Sequence, residues 1–467
     1  MRIGYLLIGL LSLCFLGCPK QNKEIVEVGT TSLSDKSRHF FYAWLADCVN
    51  DKLITDQDSV DALQSINKEA HDLIAEAIKD QVIIDGVGKH SLVWGPVAVI
   101  GGPEQGEYTP KNLAYCLKRE GTANSPVEYV VGIAGTNPLS AYDWFEEDLN
   151  VTKAVSGPDY WDQKAKISQG SLSAMNTIKG LKDSDSVSLY DRLKQDVKQG
   201  DIVSISGHSL GGALTQVLSY DLQLKHEKND VSAWVYAGPS AGDAVFAARV
   251  VAKLKGKYHA YNNEIDVIPH AWQKDKLEQL CKIYNNFKFR DHYSCSTETI
   301  EEVPPIDGLI QYFRNISNSV DYQTPEPVNI FKGEPLALDF EDCETYNTFI
   351  KALWDDTYIQ NADYYNSLNT ISNKCKEGNI VWNQFEKFFA YLAELGYQHT
   401  VSYSEHFFAG EGSFSEKVDK YVPGMAKDEV INYFIDTPEE IFADVLDPFL
   451  AKIANGLPED QPCGCAN

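Results

Sequence analysis

Short β-rich runs punctuate the chain: "SLVWGPVAVI", "VEYVVGIAG", "DIVSIS", "VSAWVYAG" and "GKYHAY". Longer segments with apolar positions at helical spacing separate them, and no internal repeat is visible. That alternation predicts an α/β fold with a mostly parallel central sheet flanked by helices. Residues 31 to 85 look helical in "HFFYAWLADCV" and "EAHDLIAEAIK" and are expected to pack on the sheet. From about 296 to 395 the text changes. Prolines in "EEVPPIDG" and "QTPEPVN" precede helical pieces rich in Tyr, Asn and Asp, which predicts an insertion or cap. The end of the chain holds one amphipathic helix and a polar tail with too little apolar surface to require order.

One junction of strand and helix carries chemistry. In "DIVSISGHSLGGALTQVL" the buried-strand residues Ile202, Val203 and Ile205 meet Gly207-His208-Ser209-Leu210-Gly211, and a helix-like run follows. A bare Gly-x-Ser-x-Gly is a weak signal, but a strand before it and a helix after it are the setting of a nucleophile elbow. A serine on so sharp a turn needs strained dihedrals, and glycines two before and two after leave room for neighbouring chain. The helix behind it aims amide hydrogens and a positive dipole end at developing negative charge. His208 would flank the nucleophile and face away from it, which suits a structural role.

Serine alone is a poor nucleophile at neutral pH, so an orienting carboxylate and then a histidine base should follow in the chain. Asp266, in "AYNNEIDVIPHAW", comes directly after a strand-like run, where a doubly wound sheet presents groups at its carboxyl edge. Asp243, in "YAGPSAGDAVF", is the rival. Either could be no more than a turn or N-cap aspartate. Four histidines then come into question: His270, His292, His399 and His406. His270 sits within the acid's own loop, and His292 follows too soon for another crossover.

"VVGIAGTNPLSAYDWFEEDL", "KISQGSLSAM", "GHSLGGAL", "VYAGPSAGDAVFA" and "NNEIDVIPHAW" together resemble successive blocks of the class 3, fungal-type lipases of the α/β-hydrolase fold. The likeness spans about a third of the chain. It implies Ser209 as nucleophile and Asp266 as acid, with Asp243 structural. It implies oxyanion donors at Thr136 and at the backbone amide of Leu210. The family's usual Arg is absent from Ile133-Ala134-Gly135-Thr136, which leaves open what braces that loop. His399, in "GYQHTVSY", resembles the family's C-terminal histidine block with its following Tyr. It is favoured over His406 in "SEHFF" and over His292, and is expected on a loop at the carboxyl edge of the sheet. "PLSAYDWFEEDL" stands where the family carries a lid.

These residues imply acyl transfer to water on an ester, with no metal or organic cofactor. A non-catalytic binding platform on the same fold would not require the three groups together, whereas a peptidase or acyltransferase would reuse them.

Composition adjusts the setting. Lys and Arg total 41 against 67 Asp and Glu, a net charge of −26, which repels phosphate backbones and argues against nucleic acid. "MRIGYLLIGLLSLCFLGCPK" reads as a signal peptide over 1–17, too short to span a bilayer, and its ending resembles a bacterial lipobox with Cys18 as the lipidated residue. Attachment to the bacterial envelope, or plain secretion, follows. Of 10 cysteines, those outside the leader and Cys18 are even in number and suggest disulfides; Cys281 with Cys295 and Cys343 with Cys375 are guesses from proximity, and reduced buried thiols are the alternative. No spacing suggests a metal site. The expected organisation is an N-terminal helical segment at 18–85, a hydrolase core at 86–295, the insertion at 296–395, a return to the core at 396–410 and a tail at 411–467.

Overall fold

The computed structural model describes residues 32–51, 60–100, 110–122, 125–135, 151–226, 230–283, 304–334, 362–375, 378–409 and 447–457, with positions 348, 351, 354, 414, 418 and 421. Residues 1–31 with the expected leader and Cys18, Thr136, the stretch after it expected as a lid, and His292 lie outside the described residues.

Three helices come first: α1 (Asp35–Asp51), α2 (Val60–Ala77) and α3 (Gln81–Val87). The main sheet contains β1 (His90–Ile100), β2 (Pro110–Arg119), β3 (Glu128–Ile133), β6 (Ile202–His208), β7 (Asp230–Tyr236), β8 (Tyr258–Asn263) and β9 (Val328–Phe331), hydrogen-bonded in that order. β1, β2 and β3 pair antiparallel, and from β3 to β9 every pair is parallel. A separate antiparallel pair, β4 (Ala154–Ser156) and β5 (Lys166–Ser168), precedes α4 (Gln169–Gly180) and α5 (Leu189–Asp196). Between the parallel strands run α6 (Leu210–Lys225) and α7 (Ala244–Leu254). Beyond β8 come α8 (Lys274–Ile283), α9 (Pro304–Ser317), α10 (Ala362–Lys374), α11 (Trp382–His399), α12 (Val401–Phe408) and α13 (Asp447–Gly456).

Alternation along the strands separates two cores. Ala114, Cys116, Val131, Ala233 and Val235 face one side, where α4, α6 and α7 pack, and Leu113, Tyr115, Val130, Trp234 and Tyr236 face the other, where α1 and α12 pack. Successive side chains of a strand point to opposite faces, so each strand feeds both layers. Nearly every residue of α1 from His39 to Asn50 is buried. Within the segment expected to pack on the sheet, α1 is therefore an internal helix, enclosed on all sides and burying His39, Asp47 and Asn50 with its apolar residues.

Two strands of the main sheet, and both strands of the small β4–β5 pair, escaped the sequence reading. "PKNLAYCLKR" of β2 carries two lysines and an arginine, and "VNIF" of β9 is four residues long beside a proline-rich stretch inside the expected insertion. Short length and mixed polarity erase the periodicity on which a strand is recognised. Most of the remaining described part of 296–395 is helical, and Cys375 within it is disulfide-bonded. Cys48 and Cys116 are buried free thiols.

Candidate functional site

The site lies at the carboxyl end of the parallel strands, where β6 breaks into α6. Ser209 holds φ 56 and ψ −125, a positive φ that a residue with a Cβ adopts only under strain. Its neighbours show why glycine flanks it. A Cβ on Gly207 would stand 2.2 Å from the Gly211 carbonyl oxygen, and one on Gly211 would stand 2.4 Å from the Ile133 carbonyl oxygen. Side chains there would push the elbow off β3. Behind Ser209, residues Leu210 to Leu222 of α6 are all buried, so the turn rests on a helix fixed by the core. Among the described residues no acceptor takes the Leu210 N–H, as expected of the first amide in a helix.

Asp266 and His399 complete the arrangement. His399 Nε2 is 2.8 Å from Ser209 Oγ, and its Nδ1 is 2.9 Å from Asp266 Oδ2. Only one assignment lets both contacts be hydrogen bonds around a neutral ring: Nδ1–H donates to the carboxylate and the serine hydroxyl donates to Nε2. Burial pushes the His399 pKa below the ordinary histidine value, and the Asp266 carboxylate pulls it partly back up. A neutral imidazole at near-neutral pH follows, the form able to accept the serine proton. Ser209 is 4% exposed, His399 2% and Asp266 0%, so the three groups meet in a low-dielectric setting.

His399 does not sit on a loop. It is the last residue of α11, and Thr400 (φ −121, ψ −74) breaks the helix before α12 resumes. The Thr400 hydroxyl bonds back to Gly396 O at 2.7 Å, which ties the break to the preceding turn. A helix terminus positions the ring more tightly than a loop tip would.

The other acid and base candidates have different occupations. Asp243 caps α7, accepting from Phe246 N at 2.7 Å, and also accepts from Lys166 N at 3.2 Å. His406 stacks on Phe331 with ring centroids 4.0 Å apart. His270 ends a single helical turn after Asp266, and burial lowers its pKa.

Supporting groups that spacing did not single out surround the three. Tyr403 O–H donates to Asp266 Oδ2 at 3.0 Å and accepts from Asn263 N at 2.9 Å. The Asn263 amide donates to Gln398 Oε1 at 2.6 Å and to Ser402 Oγ at 3.1 Å, joining the end of β8 to both sides of the α11–α12 break. Asp47, on α1, accepts from Gly135 N at 2.6 Å and meets His208 Nδ1 at 2.9 Å. Tyr403 was visible only as the Tyr following His399 in the block; Asn263 and Asp47 carried no signal, because their partners lie more than eighty residues away.

A doubly flanked, mostly parallel sheet that presents serine, histidine and aspartate on successive hydrogen bonds at its carboxyl edge defines an α/β-hydrolase of the serine type. Residues 130–276 match the family Lipase (class 3). The match includes Ser209 and Asp266 and ends before His399. A secreted mono- and diacylglycerol lipase, LIP1 of Malassezia globosa, is 25% identical over 162 residues, 33% of this chain and 50% of that protein. The chain thus aligns with about half the length of this curated relative. The crystal structure of M37 lipase superposes with a TM-score of 0.57 at 19% identity, covering 83% of this chain and 98% of that one, a likeness of fold.

Proposed function

We propose that the protein is a carboxylic ester hydrolase acting on lipid esters through an acyl-enzyme. Ser209 Oγ attacks the ester carbonyl while His399 Nε2 takes its proton, and Asp266 steadies the imidazolium that forms. The oxyanion is received by the Leu210 N–H and by Thr136, since the Gly135 N–H is already committed to Asp47. Collapse expels the alcohol, protonated by His399. Water then enters, gives a proton to the same nitrogen and releases the acid, returning Ser209 to its starting state. What supports the reading above all is the pair of contacts at 2.8 and 2.9 Å that join Ser209, His399 and Asp266.

Lipid esters are the substrate class in view of the class 3 family segment and the acylglycerol lipase that resembles it. The 296–395 segment serves as a cap over this chemistry, and the chain acts outside the cytoplasm. Cys18 is the proposed lipid anchor that holds it at the bacterial envelope, supported by "FLGC" after an apolar run. A labelled fatty acid should enter the wild-type protein and not Cys18→Ser. Incorporation unchanged in the variant, or absent from both, leaves simple secretion.

The function itself is tested with p-nitrophenyl esters of graded chain length and a fluorophosphonate probe. Wild type should turn over the esters and label at Ser209, and Ser209→Ala should do neither. Labelling that persists in the variant would move the nucleophile elsewhere.

A further inference from the structure

We infer that Asp47, on the internal helix α1, is a positioning residue for the reaction: its carboxylate joins the oxyanion strand, the elbow and the helix that carries the base. This rests on the ester-hydrolase reading of the same site.

The network runs in three steps. Asp47 Oδ1 accepts the Gly135 N–H at 2.6 Å, immediately before Thr136, in the segment whose usual arginine is missing. Asp47 Oδ2 lies 2.9 Å from His208 Nδ1. His208 Nε2 lies 2.9 Å from the carbonyl oxygen of His399. Each end of the His208 ring therefore faces an acceptor. Each contact is a hydrogen bond when one proton is shared across it, and the Asp47 contact joins the ring to a carboxyl group. A hydrogen bond to a carboxylate is about twice as strong as a neutral one, and here it is shielded from water.

The packing around them leaves little room for another arrangement. Phe40, Trp44 and Asp47 lie at helical spacing on one face of α1, and the first two set their rings against His208 at centroid distances of 6.4 and 5.0 Å. Asp47 is 8% exposed and His208 2%. Gly135 is held from the other side as well, since a Cβ there would come within 3.4 Å of both Asp47 Oδ1 and Ser209 Cβ. A carboxylate at position 47 thus fixes the spacing between the backbone that leads to the oxyanion donor and the backbone that bears the base. These are the two distances a transition state depends on, while ground-state binding depends on neither.

The test compares Asp47→Ala and Asp47→Asn with wild type in kcat and KM on p-nitrophenyl butyrate, with thermal unfolding and fluorophosphonate labelling in parallel. Asp47→Ala should lower kcat roughly a hundredfold with KM within about threefold, because the lost interaction acts on the transition state. Asp47→Asn should recover about tenfold of that, because the amide oxygen can still receive the Gly135 N–H and the amide nitrogen can donate to His208 Nδ1. If Asp47→Ala does not fold, Asp47→Asn decides alone, with kcat reduced at unchanged KM supporting the assignment. Overturning results are kcat within twofold of wild type in a folded variant, or a loss of activity that tracks the folded fraction alone. Labelled, active wild type beside an unaffected Asp47 variant removes only this assignment. Unlabelled, inactive wild type removes the hydrolase reading itself.

Discussion

His399 Nε2 stands 2.8 Å from Ser209 Oγ although 190 residues of chain separate them, and the same ring reaches Asp266 Oδ2 at 2.9 Å. Groups joined this way act as a unit, and their losses do not add. Ser209→Ala, His399→Ala and the double variant should therefore fall to a common floor, on the order of 10⁴-fold or more below wild type in kcat. His406→Ala, which loses its stacking on Phe331 and its edge contact with Phe407, should stay within a few fold. Steady-state hydrolysis of p-nitrophenyl butyrate checks the set. A double variant far below either single one would mean that the two side chains act separately.

The strand, turn and helix around Ser209 were legible because the signal is local: β-branched residues, two glycines and a helix-like run within eighteen positions. Asp266 was legible through its place after a strand and its proline three residues on. The support of those groups was not. Asn263 finds Gln398, and Asp47 finds Gly135 and His208, across distances along the chain that no local periodicity encodes. β9 hid for a related reason, since its four residues become a strand only by pairing with the preformed edge of β8. The helical seat of His399 was read as a loop because Thr400 breaks the α11–α12 run without a Gly or Pro to mark it.

Tyr403→Phe should separate support from chemistry. The variant loses a hydrogen bond to the Asp266 carboxylate and leaves the buried Asn263 N–H without the acceptor it now has at 2.9 Å. A bond to a charged group contributes about 1.5–3 kcal/mol. The expected result is a lower melting temperature together with a kcat reduced roughly tenfold at similar KM, measured by calorimetry and initial rates. Unchanged values for both would show that the hydroxyl is dispensable to the acid.

Gly211→Ala should damage the elbow through backbone contact. Its Cβ would sit 2.4 Å from the Ile133 carbonyl oxygen and 3.0 Å from Gly135 N, and neither can rotate away as a side chain can. Overpacking of this kind costs about 1–3 kcal/mol and occasionally more. Activity should fall further than stability, because the displaced strand leads to the segment proposed to receive the oxyanion. Gly180→Ala, with nothing within 4 Å of the added carbon, is the matched control. Equal melting temperatures and rates for the two variants would contradict the close approach.

Acid should destabilise the fold above the range where carboxylates titrate. Burial lowers the pKa values of His39, His399 and His90, the last to about 4. His90 shows why the neutral form suits the fold: Nδ1–H donates to Gly88 O at 2.7 Å, and Nε2 accepts from Tyr42 O–H at 2.7 Å. In the unfolded chain the same ring takes a proton near pH 6.5, so between about 6.5 and 4 the unfolded state binds more protons. Stability then rises with pH: the contribution is fully present above about 6.5 and is lost as pH falls towards 4. For His90 alone the shift corresponds to about 3 kcal/mol. Glu128 adds a separate window. It is buried beside His39, Arg38 and Arg119, and His39 and Arg38 help hold its pKa well below the ordinary value despite burial. Its contribution is present above about 4.5 and disappears at lower pH. Urea unfolding followed by circular dichroism at pH 8, 6, 5 and 4.5 should show the loss beginning at the histidine window. In His90→Gln the curve should be flatter, so the penalty of the substitution should shrink as pH falls. A wild-type stability that is level from pH 7 to 4.5, or a variant curve running parallel to it, would place the linked protons elsewhere.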